Sequence, residues 1–294
     1  MAGRMRQKGE AMPRIIAASD LTERSAAVLP RALSVAAETG GSVVFVHVAP
    51  DNVPEARVAD LRRRMEETAL QTSGGDAAEI VMLRGRPELV LPDLVETEAA
   101  DLLILGLHRV RPVLDLLRLT TMERIVLRAD IPVLVAHLPA GQGYRRVLGC
   151  VDFAPACAAA LVAAGRIAPE AEFHAIHALQ LPLRDKFAPG GIEDSRAMTQ
   201  AEVLRSAFLG AAGLPPTLHL PEIIPGGVHP VLSFRIDELE PDLITIGTHS
   251  GRDPSVLGNY ARDLMRDPPA DVLVAKPPRP APTSAQPQAA APNA

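Results

Sequence analysis

The feature that most constrains the fold of this chain is an internal repeat. Each half contains an apolar strand-like run, a glycine-bearing loop, a helix-like segment and a second apolar run, in that order. These segments are residues 101–105, 106–120, 121–128 and 131–136 in the first half, and residues 242–246, 247–259, 260–266 and 271–275 in the second. The order is typical of a parallel α/β sheet whose loops present backbone amides to a phosphate.

The segments upstream of each loop are repeated as well. A short strand that ends at Asp20 corresponds to one that ends at Asp152. Strands are predicted at residues 14–18, 42–48, 79–83, 102–105, 133–135, 146–151, 172–177, 217–224, 242–246 and 271–275, and helices at residues 23–39, 53–72, 88–98, 121–128, 157–167, 193–209, 231–239 and 260–266. The alternation predicts an α/β fold with two tandem doubly wound domains, each built on a five-stranded parallel sheet.

The repeat also predicts the domain boundaries. Residues 13–138 and 146–276 are expected to be two domains, each large enough to bury its own core, and residues 139–145 are a glycine-bearing linker. Residues 1–12 are expected to be disordered. Residues 277–294 consist almost entirely of Pro, Ala, Ser, Gln and Thr, so they cannot bury enough apolar surface to fold and are predicted to be a disordered tail.

Composition argues against several classes of function. A net charge of −5 and an aromatic content of 3%, without Trp, disfavour binding to nucleic acid by charge or by base stacking. No segment has the length and apolarity of a membrane span, and the first residues lack the apolar middle of a secretory signal. The cysteines, Cys150 and Cys157, are expected to be buried free thiols. We therefore expect a cytoplasmic protein that binds neither nucleic acid nor membranes.

In doubly wound sheets, ligands bind at the carboxyl ends of the strands. Asp20 or Asp152, the histidine-containing end of the second strand and the loop after the fourth strand would converge there. The sequence therefore predicts a nucleotide-shaped crevice in each half.

The loop residues resemble the nucleotide signature of the universal stress protein family in its tandem form, Gly-x-x-Gly, a spacer, and Gly followed by Ser or Thr. In the second copy, Gly247 matches the first glycine and Gly258-Asn259 the final pair, while Ser250 stands at the second glycine and Gly251 follows it. The resemblance covers residues 14–276. It implies a Rossmann-like fold of the adenine nucleotide alpha hydrolase type and, in some members, binding of ATP, with Mg²⁺, or of another adenine nucleotide.

The first copy departs further from this signature. Gly106 and Thr120 match it, whereas Arg109 and Leu119 replace the other glycines. The resemblance implies nucleotide-binding positions at Asp152, Ala178, Ile246, Gly247, Gly251, Gly258 and Asn259. It implies degenerate equivalents at Asp20, Val48, Gly106, Arg109 and Thr120. It also implies that residues 133–135 and 272–274 pair as last strands, which makes the chain an intramolecular pseudo-dimer and leaves a homodimer open.

Three physical points favour the second copy. Leu119 puts a bulky side chain where the backbone should approach a phosphate, and Arg109 is expected to fill the space left by a glycine. The pattern from Thr120 to Glu123 is a capping box, which satisfies helix amides internally. In the second copy Asn259 is expected to cap the helix and Arg262 replaces the glutamate, which would favour an anion by about 0.3–1 kcal/mol.

Structural explanations stand beside these functional ones. His108 and His249 follow matching glycines and are expected to bond the backbone of their own loops. His174 and His177 are three apart on a strand and therefore point to opposite faces, and no cluster has zinc spacing, so no metal site is predicted. Asp20 and Asp152 could be helix caps, and Gly247 and Gly258 could serve tight turns.

The sequence favours a non-enzymatic stress-response module that senses a ligand or binds a partner, with an adenine nucleotide in the second domain. One alternative is an interaction protein without a nucleotide site. The other is a weak ATPase or nucleotidyl transferase, whose catalytic groups would have to come from Asp152, Asp253 and His249. No catalytic residue is predicted, and the sequence does not identify a protein partner.

Overall fold

A computed structural model describes residues 13–107, 119–141, 143–181, 195–248 and 256–277 of the chain. The predicted N-terminal extension, residues 1–12, lies outside this description, as does all of the predicted tail except residue 277. Their disorder therefore stays a prediction.

The first half alternates strands and helices as predicted. The strands are β1 (Arg14–Ala18), β2 (Ser42–Ala49), β3 (Glu79–Arg84), β4 (Leu102–Leu105) and β5 (Val133–Val135). The helices are α1 (Val28–Thr39), α2 (Glu55–Gln71), α3 (Pro87–Thr97) and α4 (Thr121–Arg128).

The second half repeats this order. Its strands are β6 (Arg146–Cys150), β7 (Glu172–Leu179), β8 (Glu222–Pro225), β9 (Leu243–Gly247) and β10 (Asp271–Ala275). Its helices are α5 (Pro155–Ile167), α6 (Arg196–Leu209), α7 (Val228–Leu239) and α8 (Asn259–Arg266).

Two predicted elements begin five residues later than predicted, the largest differences from the structure. The helix predicted at 23–39 begins at Val28, because residues 23–25 form a separate 3₁₀ turn. The strand predicted at 217–224 begins only at Glu222. Pro221, which cannot donate to a ladder, separates β8 from an isolated bridge between Leu218 and Phe173.

The two halves form one continuous sheet. Its strand order is β3-β2-β1-β4-β5-β10-β9-β6-β7-β8, and every neighbouring pair is parallel except β5 and β10. In that antiparallel pair Leu134 lies opposite Leu273. The predicted pairing of the last strands is confirmed. The two predicted five-stranded sheets are joined edge to edge into ten strands.

Helices cover both faces of the sheet, as parallel strands require. On one face, α1, α2, α5 and α6 contribute to a buried apolar cluster that includes Phe45 and Phe173. On the other face, α3, α4, α7 and α8 contribute to a second cluster that includes Leu103 and Ile244. None of the helices in the described part of the chain is both long enough and apolar enough to cross a bilayer. The cytoplasmic location stays a prediction.

A buried carboxylate, Asp271, connects the two halves on the first face. It is fully buried, and its Oδ1 accepts hydrogen bonds from the backbone amides of His137 (2.7 Å) and Leu138 (2.8 Å). Its Oδ2 accepts one from the Tyr144 hydroxyl at 2.7 Å and lies 2.8 Å from Nε of Arg31 on α1. Burial raises the pKa of Tyr144 and the Asp271 charge raises it further, so this hydroxyl stays a donor.

A second buried carboxylate, Glu123, connects the halves on the other face. Its Oε2 accepts from the Thr120 amide at 2.7 Å. Its Oε1 accepts from Nε of Arg266 at 2.9 Å and from Nε of Arg262 at 3.3 Å, and both arginines belong to α8. Each face of the junction between β5 and β10 therefore carries a buried acid that contacts the opposite half.

We expect Asp271→Ala to lower the free energy of unfolding by about 3–5 kcal/mol, because it leaves Arg31 and Tyr144 buried without their shared acceptor. Denaturant titration followed by circular dichroism measures this change. The matched control is Asp130→Ala, whose carboxylate is 41% exposed and 3.8 Å from the Lys276 ammonium. That variant should change stability by less than about 1 kcal/mol. Equal effects of the two variants would contradict the role assigned to Asp271.

Candidate functional site

The strand register brings the predicted site residues of the second half to one edge of the sheet. Cys150 at the end of β6 lies beside Ile176 of β7 and Ile246 of β9. Two residues further on, Asp152 reaches the level of Ala178, while Gly247 ends β9. The amide of Gly258 donates to the Thr248 carbonyl at 3.0 Å, which brings the start of α8 to the same edge.

The first half has the same arrangement. Ala18 at the end of β1 lies beside Val46 of β2 and Leu105 of β4, which places Asp20 level with Val48 and next to Gly106. Arg109, Gly251, His108, His249 and Asp253 lie outside the described residues. The predictions for those five positions stay predictions.

Asp20 and Asp152 are not helix caps; each organises the turn after its strand. Oδ1 of Asp20 accepts hydrogen bonds from the Thr22 amide (3.0 Å), the Thr22 hydroxyl (2.7 Å) and the Ser25 hydroxyl (2.7 Å). Oδ1 of Asp152 accepts from the Ala154 amide at 3.0 Å and from the Cys157 thiol at 3.1 Å. Among the described residues, Oδ2 of neither aspartate receives a hydrogen bond, which leaves it available to another donor.

The residue after each aspartate has a left-handed backbone. Leu21 has φ 58° and Phe153 has φ 64°, a region that residues with a Cβ rarely occupy. The bond from the amide two residues ahead to the aspartate oxygen stabilises this conformation. Both turns are therefore fixed by their own side chains.

A histidine at the end of the second strand supports each turn. Nδ1 of His47 lies 2.8 Å from the Ser19 carbonyl, and Nδ1 of His177 lies 2.9 Å from the Val151 carbonyl. Because a carbonyl only accepts, Nδ1 carries the proton in both rings. These histidines support the backbone beside the aspartates. The two histidines occupy matching positions in the two repeats, and this match is the signal in the sequence that they share a role.

Gly106 and Gly247 are required by packing within the protein. A Cβ at Gly106 would lie 2.6 Å from Cα of Ser25. A Cβ at Gly247 would lie 2.8 Å from Cβ of Ala156 and 3.0 Å from the amide nitrogen of Cys157. In each half, the glycine at the end of the fourth strand lets the segment that follows the first strand approach closely: the 3₁₀ turn at Ser25 in the first half and the start of α5 in the second. These two glycines alone therefore do not indicate a ligand.

Gly258 differs from them. Its backbone angles, φ −59° and ψ 145°, are accessible to any residue, and a Cβ there would meet no atom of the described residues within 4 Å. Within the described structure, neither backbone conformation nor packing demands glycine at this position. In the first half Leu119 occupies the equivalent position and is 36% exposed.

The two helices that follow these loops begin differently. Thr120 caps α4 in the predicted capping box: its hydroxyl accepts from the Glu123 amide at 3.2 Å, and the Glu123 carboxylate accepts from the Thr120 amide. The expectation that Asn259 caps α8 is wrong. The cap residue is Gly258, which has no side chain to accept a bond, and Asn259 is the first helical residue. Within the described part of the chain, no side chain caps the first amides of α8.

The expectation that Arg262 makes the start of α8 more cationic is also wrong. Nε of its guanidinium lies 3.3 Å from Oε1 of Glu123, a residue of the first half. Sequence reasoning placed Arg262 in the helix repeat but could not show that the facing helix supplies a buried carboxylate.

The architecture defines a class: a tandem α/β protein with two doubly wound halves that share one sheet. Residues 12–137 match the model of the universal stress protein family. The first repeat therefore belongs to this family, and the second repeat has the same fold.

Solved structures agree with this assignment. A universal stress protein from Archaeoglobus fulgidus DSM 4304 superposes with a TM-score of 0.66 at 19% identity, covering 90% of this chain and 96% of its own. A functionally unknown protein, PA1789 from Pseudomonas aeruginosa PAO1, superposes with a TM-score of 0.61 at 16% identity, covering 91% and 94%. At these identities the likeness shows the fold. Among curated proteins, no sequence matches this chain.

We expect Asp20 to make stability depend on pH in acid. Burial would raise the pKa of Asp20, but hydrogen bonds from Ser25 and Thr22 outweigh it and hold the pKa below its usual value. The stabilisation is therefore present above the unfolded pKa of about 3.9 and is lost as the pH falls through the folded value. The free energy of unfolding of Asp20→Asn should lie well below that of the unmodified protein at neutral pH and approach it in acid. A gap that does not depend on pH would contradict this.

We expect both cysteines to be unreactive in the folded protein. Cys150 and Cys157 are buried, as predicted. Burial raises the pKa of Cys150 to about 12. Burial and the nearby Asp152 carboxylate raise the pKa of Cys157 well above its usual value. A chromogenic thiol reagent at mildly alkaline pH should label the protein only after denaturant is added, when both thiols react. Rapid labelling without denaturant would contradict this.

Proposed function

We propose that this chain is a non-enzymatic stress-response module whose second half binds an adenine nucleotide, with ATP and Mg²⁺ as the first ligand to test. The observation that carries this proposal is Gly258. Among the described residues, none gives a reason for a glycine there: no atom lies within 4 Å of an added Cβ, and no side chain caps the adjacent helix amides. A phosphate that approaches the backbone would require the missing Cβ.

Asp152 supports the adenosine end of this proposal. Its Oδ1 is occupied by the turn, which fixes the position of the carboxylate, and its Oδ2 faces no donor among the described residues. A ribose hydroxyl is the kind of donor that this oxygen could accept. Ala178 and Ile246 would contribute apolar contacts at the ends of the neighbouring strands.

The first half is proposed to lack a nucleotide. Leu119 replaces the informative glycine, and the capping box from Thr120 to Glu123 already satisfies amides that a phosphate would use. The alternative of an interaction protein without a nucleotide site applies to this half in particular. Its Glu123, near the start of α4, already binds Arg262 and Arg266 of the second half.

An enzymatic role has less support. Asp152 is the one candidate catalytic group that lies in the described residues, and its Oδ1 stabilises a turn next to a left-handed residue. Asp253 and His249 would have to supply the remaining chemistry. A long incubation with ATP followed by nucleotide chromatography tests this alternative, which requires ADP or AMP to appear.

We expect ATP with Mg²⁺, at one hundred times its dissociation constant, to stabilise the protein by about 2.7 kcal/mol, measured by thermal shift and calorimetry. Gly258→Leu should remove this stabilisation without lowering stability in the absence of nucleotide, because an added Cβ has no described atom within 4 Å and the backbone angles suit any residue. The matched control is Gly141→Leu. Gly141 lies in the linker, where an added Cβ also meets no described atom, and this variant should bind as before.

Two outcomes would contradict the proposed function. One is the absence of any shift with ATP, ADP, AMP or cyclic AMP. The other is equal binding by Gly258→Leu and the unmodified protein. Either result would favour the interaction protein without a nucleotide site.

A further inference from the structure

A cluster of two histidines and one glutamate lies at the amino-terminal end of β7, at the opposite end of the strand from Ala178. Glu172 and His174 are two residues apart near the amino-terminal end of the strand, so their side chains share one face. The third member, His219, comes from the segment that precedes β8. One ligand atom from each of the three residues can be chosen so that all lie within 4.8 Å of one another.

Backbone hydrogen bonds fix the position of His219. Its amide donates to the Phe173 carbonyl at 2.8 Å, and the Phe173 amide donates to the Thr217 carbonyl at 3.4 Å. The Thr217 hydroxyl adds a bond of 2.7 Å to the Ala171 carbonyl. Residues 217–219 thus lie alongside β7 although they are not part of β8. The three side chains are held by strand-like backbone on both sides, which gives a site more precision than a free loop would.

The side chains are already grouped around one volume. The rings of His174 and His219 are stacked, with centroids 4.6 Å apart and planes 5° apart. Oε1 of Glu172 lies 2.9 Å from Nε2 of His219 and 3.4 Å from Nε2 of His174. In a tetrahedral zinc site with bonds of about 2.0–2.2 Å, neighbouring ligand atoms are about 3.4 Å apart. A metal ion lies in the plane of each imidazole that binds it, so the two stacked rings have to rotate apart before both Nε2 atoms and Oε1 of Glu172 can bind one ion.

We propose that Glu172, His174 and His219 bind one divalent transition-metal ion of the Zn²⁺ type. Two imidazole nitrogens and one carboxylate oxygen are ligands that such ions prefer, whereas Mg²⁺ and Ca²⁺ prefer all-oxygen sites. Glu172 and His219 are about half exposed, so the ion exchanges with solvent and completes its coordination with water. Binding displaces any proton that Nε2 shares with the carboxylate.

The site is confined to the second half. The strands β2 and β7 are both eight residues long, and His47 of β2 corresponds to His177 of β7. On this alignment Ser42 and Val44 stand where β7 has Glu172 and His174. The proposal therefore predicts one metal ion per chain.

The test is a calorimetric titration of the chelator-treated, full-length protein with ZnCl₂, in the absence of nucleotide. We expect one equivalent of Zn²⁺ to bind, and excess Mg²⁺ not to compete. His219→Ala should weaken binding at least about tenfold, because removal of a direct ligand should cost no less than loss of an outer-shell partner. Substitution with Co²⁺ should give a ligand-field absorption spectrum that His219→Ala abolishes.

The matched control is His229→Ala. This histidine is also exposed and also lies beside a carboxylate, with Nε2 3.6 Å from Oδ2 of Asp263. It should bind Zn²⁺ like the unmodified protein. His174→Ala and Glu172→Gln should each weaken binding as His219→Ala does. Equal affinity in all variants, equal loss in His229→Ala, or equal competition by Mg²⁺ would overturn the proposal and leave a hydrogen-bonded surface cluster. Because no nucleotide is present in this titration, a failure to bind Zn²⁺ would not contradict the proposed nucleotide site.

Discussion

The antiparallel pairing of β5 with β10 is the interaction on which the rest of this structure depends. Either half alone would present its last strand as an open edge of unpaired amides and carbonyls, with Leu134 or Leu273 in its centre. Pairing satisfies the backbone hydrogen-bonding groups of both edges. It also brings helices of the two halves into contact on either side of the paired strands. The buried acids Asp271 and Glu123 are stable only because this pairing supplies their partners from opposite halves.

The signature glycines have separate causes that their spacing does not reveal. Gly106 and Gly247 leave room for the segment that follows the first strand of each half, a requirement that both halves share whether or not they bind a ligand. Gly258 meets no such requirement within the described residues. The difference between the halves at this position, glycine against Leu119, is therefore more informative about ligand binding than the glycines they share.

Most of the fold could be predicted because it follows from periodicity and repetition, which are local properties. The pairing of residues 133–135 with 272–274 was predictable only through resemblance, and the structure confirms it. What failed depended on contacts between distant segments. Arg262 contacts a carboxylate 139 residues away, and His219 contacts Glu172 across 47 residues. The spacing of residues along the sequence does not predict such tertiary contacts.

The contact between Glu123 and Arg262 has a consequence for symmetry. The two residues occupy equivalent positions in the two repeats, so each meets its own counterpart across an approximate two-fold axis. In a homodimer of identical halves, the same position would bring two buried glutamates together, and their like charges would repel. Once both copies are parts of one chain, one can be acidic and the other basic. This junction is therefore specific for unlike halves, and neither repeat can replace the other within it.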